Sequence, residues 1–308
     1  MTETKTAAFV SGFVSILGRP NVGKSTLLNA LIGTKVAIVA DKPQTTRTAI
    51  QGVLSLPEGQ IVFLDTPGIH RARSSLNRRM MVSVRDALDQ RDLLIFVADA
   101  TARFTDADRE ALDMVKKSGT PVLLVANKID RVADKKELLP LLDKYRAAHD
   151  FAEYFPVSAL RSKGLEDLRA GILSRLPAGP LYFPADHITD QPERFLATEL
   201  IREKIILETR EEVPHSVAVV VDHWEERPKI TRILATIYVE KEGQKGILIG
   251  AKGAMLKEIG TRAREEMERL FGKKIFLELH VKAHANWREN KAFLNALDWR
   301  TMAGQDDS

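Results

Sequence analysis

The sequence predicts an α/β fold with a doubly wound, mostly parallel sheet, followed by a smaller α+β domain. Five short apolar runs lie in the first half, at residues 13–17, 61–64, 93–98, 122–126 and 154–157. Amphipathic stretches separate several of them, and buried strands that alternate with helices are typical of a parallel sheet covered on both faces. Polar motifs follow the ends of these runs, which is where such sheets bind ligands.

The length and the prolines predict two domains. A chain of 308 residues is longer than one hydrophobic core usually supports. Pro177, Pro180, Pro184 and Pro192 interrupt any helix or central strand between the two halves. We therefore predict a flexible N-terminus at 1–9, a first domain at 10–176, a linker at 177–192, a second domain with a C-terminal helix at 193–300 and a disordered tail at 301–308.

The composition excludes several classes of protein. The chain has no cysteine, so disulfides and thiolate metal sites are excluded. No apolar run approaches the roughly 20 residues of a membrane-spanning helix, and the N-terminus lacks a secretory signal, so we expect a cytoplasmic protein. The net charge of +4 divides into +6 for residues 1–184 and −2 for residues 185–308, so bulk charge does not identify a nucleic-acid-binding half.

The first glycine-rich loop predicts a phosphate site. Residues 18–25, GRPNVGKS, match the pattern GxxxxGK[ST] between an apolar run and a helical run, which is the context that this motif requires. Lys24 would reach the β- and γ-phosphate oxygens, and Ser25 would bind Mg²⁺. The predicted nucleotide-binding residues of this loop are Gly18, Arg19, Pro20, Asn21, Val22, Gly23, Lys24, Ser25 and Thr26.

A second motif predicts the base. Asn127, Lys128, Ile129 and Asp130 follow the apolar run 122–126. The Asp130 carboxylate can accept from N1 and N2 of guanine, which adenine does not offer as donors, so adenine would leave that carboxylate unpaired. The sequence therefore favours guanine. After the next predicted strand, Ser158, Ala159 and Leu160 would add a backbone N–H to guanine O6.

Two further segments predict a nucleotide-dependent switch. Asp65, Thr66, Pro67 and Gly68 follow the run 61–64, so that Asp65 suits the Mg²⁺ shell and the Gly68 N–H suits the γ-phosphate. Upstream, Thr46 would complete the Mg²⁺ shell when GTP is bound, although Thr45 remains an alternative. The predicted metal-binding residues are thus Ser25, Thr46 and Asp65, and the predicted catalytic residues are Lys24, Thr46, Gly68 and Asn21.

Residues 10–176 resemble the translation-factor-like class of GTPases. Ras-like GTPases place a water-orienting glutamine directly after DxxG, whereas this chain has Ile69 at that position. Ile69 is a further predicted nucleotide-binding residue. Isoleucine cannot orient water, so we expect slow intrinsic hydrolysis. Asn21 resembles the asparagine that helps hold K⁺ beside the phosphates in related GTPases, and the alternative is a plain loop residue.

The second glycine-rich loop, Gly250 to Gly253, predicts an RNA site. It has no GK[ST] and is too short to wrap a triphosphate. It lies between two predicted helices in the order α-β-β-α-α-β, and residues 241–274 contain nine basic and five acidic residues. This arrangement resembles a type II KH domain, which holds about four nucleotides of single-stranded RNA. The predicted RNA-binding residues are Ile249, Gly250, Ala251, Lys252, Gly253, Lys257 and Arg262.

The whole chain resembles the Era family of bacterial GTPases, through GRPNVGKSTLLNALIG, PQTTR, FLDTPGIH, NKID, DHITDQPERF and EGQKGILIGAKGAMLKEIG. The resemblance implies a monomeric GTPase that uses GTP, GDP and Mg²⁺. It implies binding to the 3′ end of 16S ribosomal RNA and a role in assembly of the 30S subunit. Peripheral association with the inner membrane is also implied.

Two other classes of function stay open at this point. One is an RNA-binding adaptor whose first domain is a scaffold with negligible turnover. The other is a membrane-linked signalling GTPase whose KH domain serves something other than ribosomes. The pattern also leaves undecided whether His70 and Arg71 act in catalysis.

Overall fold

The structure is a computed structural model, and it describes residues 8–69, 74–89, 91–210 and 213–298. Among these residues the chain forms two units. The N-terminal unit consists of residues 8–37, 46–69, 80–89 and 91–190. The C-terminal unit consists of residues 38–45, 74–79, 191–210 and 213–298. The two units therefore alternate along the first 80 residues of the chain. The domain boundaries predicted from the sequence stay predictions.

The N-terminal unit contains a six-stranded sheet in the order β2-β3-β1-β4-β5-β6. The strands are β1 (Val10–Leu17), β2 (Ile50–Leu56), β3 (Gly59–Asp65), β4 (Leu93–Asp99), β5 (Val122–Asn127) and β6 (Glu153–Pro156). All neighbours pair in parallel except β2, which runs antiparallel to β3. This confirms the predicted doubly wound, mostly parallel sheet.

Four α-helices lie wholly within the described part of this unit: α1 (Lys24–Ile32), α3 (Asp106–Lys116), α4 (Leu138–Ala148) and α5 (Leu165–Leu173). The helix α2 (Ser75–Asp86) belongs to the C-terminal unit up to Arg79 and to this unit from Met80. The strands β4 and β5 are buried over nearly their whole length. Burial on both faces explains why these strands are continuous apolar runs in the sequence rather than alternating ones.

The proline-rich stretch predicted as a linker is hydrogen-bonded to the edge of this sheet. The side chain of Gln60, on β3, accepts from the N–H groups of Tyr182 and Phe183 at 2.8 and 3.0 Å. The N–H of Val53, on β2, donates to the Ile188 carbonyl at 2.8 Å. The stretch thus satisfies polar groups that an edge strand would otherwise expose.

The C-terminal unit has the element order predicted from the sequence, α-β-β-α-α-β. Its elements are α6 (Glu193–Glu208), α7 (Val213–Ser216), β7 (Ala218–Arg227), β8 (Ile230–Val239), α8 (Glu242–Ile249), α9 (Ala254–Phe271), β9 (Ile275–Ala283) and α10 (Lys291–Ala296). The sheet has the order β7-β8-β9, with β7 antiparallel and β9 parallel to β8. The short helix α7 was not predicted. The predicted last helix is divided at Asn290, whose side chain caps α10.

An apolar stripe of α9 lies in the core of this unit. Ile259, Ala263 and Met267 are fully buried, and Leu256 and Leu270 pack against the same cluster. Their spacing of three and four residues puts them on one face of the helix. The second glycine-rich loop, which precedes α9, is therefore attached to a helix that is anchored in the core.

In the described part of the chain, no helix combines the length and the apolar character needed to cross a membrane.

Trp287 anchors the C-terminal part of this unit. Its side chain is fully buried, and its indole N–H donates to the Ser216 carbonyl at 2.8 Å.

We expect Trp287→Ala to lower the free energy of unfolding by about 3–5 kcal/mol, because it leaves a large cavity. The matched control is Phe276→Ala, since that ring is 41% exposed and its loss should cost below about 1 kcal/mol. Denaturant unfolding followed by circular dichroism measures both, and equal losses would contradict the assignment.

Candidate functional site

The phosphate loop joins β1 to α1, and two of its glycines are required by close packing. Gly18 has φ +145°, and a Cβ there would lie 2.4 Å from the Val97 carbonyl oxygen. Gly23 has φ +95°, and its Cβ would lie 2.4 Å from the Asn127 side-chain nitrogen. Any other residue at these positions would both strain the backbone and collide with a neighbouring strand end. The loop is therefore a preformed cradle at the carboxyl end of the sheet.

Lys24 begins α1 and is buried beneath this loop. Its Nζ donates to the carbonyls of Arg19 at 2.9 Å and Gly18 at 3.3 Å. Burial lowers the pKa of Lys24 to about 8, although the nearby Asp65 charge opposes the shift. A buried ammonium that is bonded only to carbonyl dipoles is suited to bind the oxygens of a phosphate.

The three predicted metal-binding residues come together in the N-terminal unit. The hydroxyl of Ser25 donates to Asp65 Oδ2 at 2.5 Å and lies 2.8 Å from the Thr46 hydroxyl. The Thr46 hydroxyl lies 3.4 Å from the same carboxylate oxygen. Three side-chain oxygen groups, from α1, the loop before β2 and the end of β3, thus lie close together. The alternative residue Thr45 turns away, because its hydroxyl donates to the Lys42 carbonyl at 2.6 Å.

The environment of Asp65 fits a hard cation such as Mg²⁺. The carboxylate is completely buried, and its Oδ1 has no hydrogen-bond partner among the residues that the structure describes. Burial raises the pKa of Asp65 to about 6, and the Lys24 charge acts in the opposite direction. An unpartnered buried carboxylate oxygen beside two hydroxyls is the kind of oxygen site that Mg²⁺ prefers.

The DTPG segment lies directly against the phosphate loop. A Cβ on Gly68 would come within 2.7 Å of the backbone of Pro20, and the Ile69 N–H donates to the Gly18 carbonyl at 3.1 Å. The Thr66 hydroxyl donates to the Ile16 carbonyl at 2.9 Å. The side chain of Ile69 is buried in the core of this unit. It can therefore contribute only its backbone to a nucleotide site. His70 and Arg71 lie outside the described residues.

The NKID motif connects the base site to the phosphate loop. The Asn127 amide donates to the Val22 carbonyl at 3.0 Å and accepts from the Ala159 N–H at 3.0 Å. Lys128 Nζ donates to the Asn21 carbonyl at 2.6 Å. These bonds fix the phosphate loop, the NKID segment and the segment that contains Ala159 relative to one another.

Asp130 is exposed and ionised, as a guanine acceptor must be. Its Oδ1 accepts from the Ser158 hydroxyl at 2.5 Å, which lowers the pKa of Asp130. Ser158 is fully buried, whereas Leu160 is exposed. The Ala159 N–H is donated to Asn127, so the predicted contact with guanine O6 requires that this donor be shared or redirected.

Two acidic residues of the site were missed in the sequence. Asp108 lies 2.7 Å from Nε of the loop residue Arg19, and it also accepts from the Tyr145 hydroxyl at 2.7 Å. Asp99 forms an ion pair with Lys128 at 2.7 Å. The position of Asp99 at the carboxyl end of β4 was a usable signal. Asp108 could have been found only as the last residue of a TxxD helix cap that begins at Thr105.

The second glycine loop joins α8 to α9 and is open to solvent. Gly250 has φ +71°, and a Cβ there would lie 2.7 Å from Met255. Gly253 has φ +81° but no heavy atom within 4 Å of an added Cβ. Between them, Lys252 is exposed at φ +51°. The loop thus presents a cation and the N-terminus of an 18-residue helix to solvent, and both attract phosphate.

The other predicted RNA-binding residues differ in their availability. Lys257 is exposed on the first turn of α9, and Ile249 is half-buried at the end of α8. Arg262 forms an ion pair with Glu208 of α6, so it is already engaged within the unit. Ala251 is exposed in the loop itself.

The fold and the two loops define the class of protein, a GTPase followed by a KH domain. The family model described as "50S ribosome-binding GTPase" matches residues 13–128, and the model described as "KH domain" matches residues 212–288.

The family follows from the relatives of this chain. It is 50% identical over 288 residues to "GTPase Era" of Syntrophus aciditrophicus (strain SB), covering 93% of this chain and 94% of that protein. It is 50% identical over 295 residues to "GTPase Era" of Geotalea uraniireducens (strain Rf4), covering 96% and 98%. The chain belongs to the Era family of GTPases.

Solved structures agree with this assignment. The structure of a single-residue variant of Aquifex aeolicus Era bound to GDP.AlF4⁻ has a TM-score of 0.91, with 42% identity over 94% of this chain and 99% of that one. Era in complex with MgGDPNP and nucleotides 1506–1542 of 16S ribosomal RNA has a TM-score of 0.92, with the same identity and coverage.

We expect Asp130→Asn to change the base preference from guanine to xanthine. The asparagine amide would donate to the O2 of xanthine and accept from its N1–H, whereas it would oppose the N2 donor of guanine. GTP affinity should fall about 10- to 100-fold, and xanthosine triphosphate affinity should rise. Nucleotide titration measures both, with ATP as the control that stays weak. Retention of the preference for GTP would contradict the assignment of Asp130.

Proposed function

We propose that this GTPase binds the 3′ region of 16S ribosomal RNA through its KH domain and acts in assembly of the 30S ribosomal subunit. The nucleotide state would set the strength of RNA binding, and hydrolysis would end the bound state. The structure of Era with a GTP analogue and nucleotides 1506–1542 of 16S ribosomal RNA supports this proposal, because its coverage includes nearly the whole of this chain.

For the nucleotide, we propose that Ser25, Thr46 and Asp65 hold Mg²⁺, which would neutralise the phosphate charge. The unpartnered Oδ1 of Asp65 supports this arrangement. Lys24 would bind the phosphates, and the Gly68 N–H would bind the γ-phosphate. The buried Ile69 side chain supplies no group that orients water, which is consistent with slow intrinsic turnover.

For the RNA, the observation with the most weight is the open loop at the start of α9. Lys252 and the helix N-terminus face solvent there, and Gly253 leaves space for a ribose-phosphate backbone to approach closely. Lys257 would extend the contact along the first turns of α9. We assign Arg262 a smaller part, because Glu208 competes for it.

We further propose that the protein works as a cytoplasmic monomer that contacts the inner membrane peripherally. The family resemblance alone supports the membrane contact.

We expect Gly253→Asp to abolish binding of RNA that corresponds to nucleotides 1506–1542 of 16S ribosomal RNA, and to leave GTP affinity nearly unchanged. The added carboxylate would repel phosphate at the start of α9. Gly272→Asp is the matched control, since Gly272 also has positive φ and open space but lies about 28 Å away at the other end of α9. Fluorescence anisotropy measures both affinities. Loss of RNA and GTP binding together, or equal loss in the control, would contradict the division of roles.

We also propose that K⁺ supplies positive charge beside the phosphates, with the exposed side chain of Asn21 as one of its ligands. GTP hydrolysis should then be faster in KCl than in NaCl at equal ionic strength. Asn21→Ala should reduce that difference and leave the rate in NaCl nearly unchanged. Multiple-turnover phosphate release measures the rates, and equal rates of the unsubstituted protein in the two salts would contradict the proposal.

A further inference from the structure

The segment that precedes Thr46 is packed within the C-terminal unit. Residues 38–45 belong to that unit, whereas Thr46 belongs to the N-terminal one. Ile38 is 5% exposed and lies in the same hydrophobic cluster as Ala197 and Ile201 of α6. The peptide bond between Thr45 and Thr46 is therefore a covalent junction between the two units.

Arg202 of α6 holds the end of this segment. Its guanidinium donates to the carbonyl oxygens of Gln44 and Thr45, with Glu199 as its ion-pair partner at 2.5 Å. The Arg202 side chain is only 2% exposed. The Thr45 carbonyl belongs to the planar peptide group that ends at the Cα of Thr46. Arg202 thus fixes the group to which the proposed Mg²⁺ ligand is directly attached.

The rest of the segment has two further attachments. The Val39 N–H donates to Glu203 Oε1 at 2.8 Å, and the Gln44 amide donates to the side chain of Asn77 at 3.0 Å. Gln44 also has φ +65°, which a residue other than glycine adopts only when its surroundings impose it. A movement of Thr46 would therefore strain the hydrogen bonds that residues 39–45 form with Glu203 and with Asn77.

Glu203, which accepts from the Val39 N–H, is also connected to α9. Lys204 donates to Glu203 Oε2 at 2.8 Å and forms an ion pair with Glu266 of α9. Lys204 and Glu203 are buried, and buried charges tolerate little loss of their partners. Polar bonds thus connect Val39 through Glu203 and Lys204 of α6 to Glu266 of α9, and α9 begins directly after Gly253.

We infer that Arg202 is the positioning residue that couples the nucleotide state to the RNA loop. When Thr46 is held at the metal site, Arg202 keeps both carbonyl acceptors, and α6 and α9 keep the arrangement described above. When Thr46 leaves, the buried guanidinium loses these acceptors and α6 readjusts. This inference rests on the proposed function, because it requires that RNA affinity depend on the bound nucleotide.

The test is the ratio of RNA affinities with a non-hydrolysable GTP analogue and with GDP, measured by anisotropy with RNA corresponding to nucleotides 1506–1542. The unsubstituted protein should show a ratio of about 5- to 150-fold, which is the usual size of an allosteric coupling. Arg202→Gln should reduce the ratio to within about 2-fold, by weakening binding in the GTP-analogue state. By reciprocity, RNA should also no longer tighten binding of the analogue.

Arg194→Gln is the matched control, because Arg194 lies on the same helix and also donates to a backbone carbonyl, that of Val221 at 2.7 Å. It should keep the ratio. The double variant Glu199→Gln with Arg202→Gln removes the ion pair as a whole, so it tests the coupling without leaving Glu199 as a partly buried, unpaired charge. A purely structural role of Arg202 would weaken RNA binding equally in both nucleotide states.

Two results would contradict different statements. If the unsubstituted protein shows no nucleotide dependence, the proposed function fails. If that dependence is present and both Arg202 variants keep it, or if Arg194→Gln loses it to the same extent, the assignment of Arg202 fails while the proposed function stands.

Discussion

The N-terminal unit depends on two opposite charges that are both buried, Asp65 and Lys24. Burial raises the pKa of Asp65 from 3.8 to about 6, so folding loses stability as the pH rises through that interval. Burial lowers the pKa of Lys24 from 10.5 to about 8, so folding also loses stability as the pH falls through that interval. Near neutral pH both costs are present. A bound nucleotide with Mg²⁺ would offset these costs in folding stability, so the protein would be more stable with its ligand than without it.

This arrangement requires a rigid frame, because a mobile loop would let water solvate the charges. Arg19 pairs with Asp108, whose other oxygen accepts from the N–H and hydroxyl of Thr105 at 2.8 Å. Burial and the Asp108 charge both raise the pKa of Tyr145, so its hydroxyl stays protonated and can donate to Asp108. Lys128 holds another residue of the same loop, because its Nζ donates to the Asn21 carbonyl. The phosphate loop is thus held by α3 and by the segment that follows β5 before any ligand arrives.

The sequence predicted the parts of the site that are formed by consecutive residues. The loop at 18–25, the NKID motif and the glycine turn at 250 each have their geometry within a few residues, so the pattern was sufficient. Asp108 and Arg202 could not be found in this way, since their partners are distant in the chain. The edge strand β2 was missed because it contains Gly52 and has partly exposed side chains at Leu54 to Leu56. The parallel order of the central strands was predictable, because their burial on both faces is visible in the composition.

The two glycine loops of this chain require glycine for different physical reasons. At Gly18 and Gly23 the surrounding backbone and side chains occupy the space of a Cβ, so the first loop is packed closely against β4 and the end of β5. At Gly253 that space is empty, and glycine is required only by the backbone angle of +81°. An open loop leaves room for one section of a long RNA strand, whereas a closely packed loop such as residues 18–25 does not. The difference in packing explains why one protein has both loops, and why neither could replace the other.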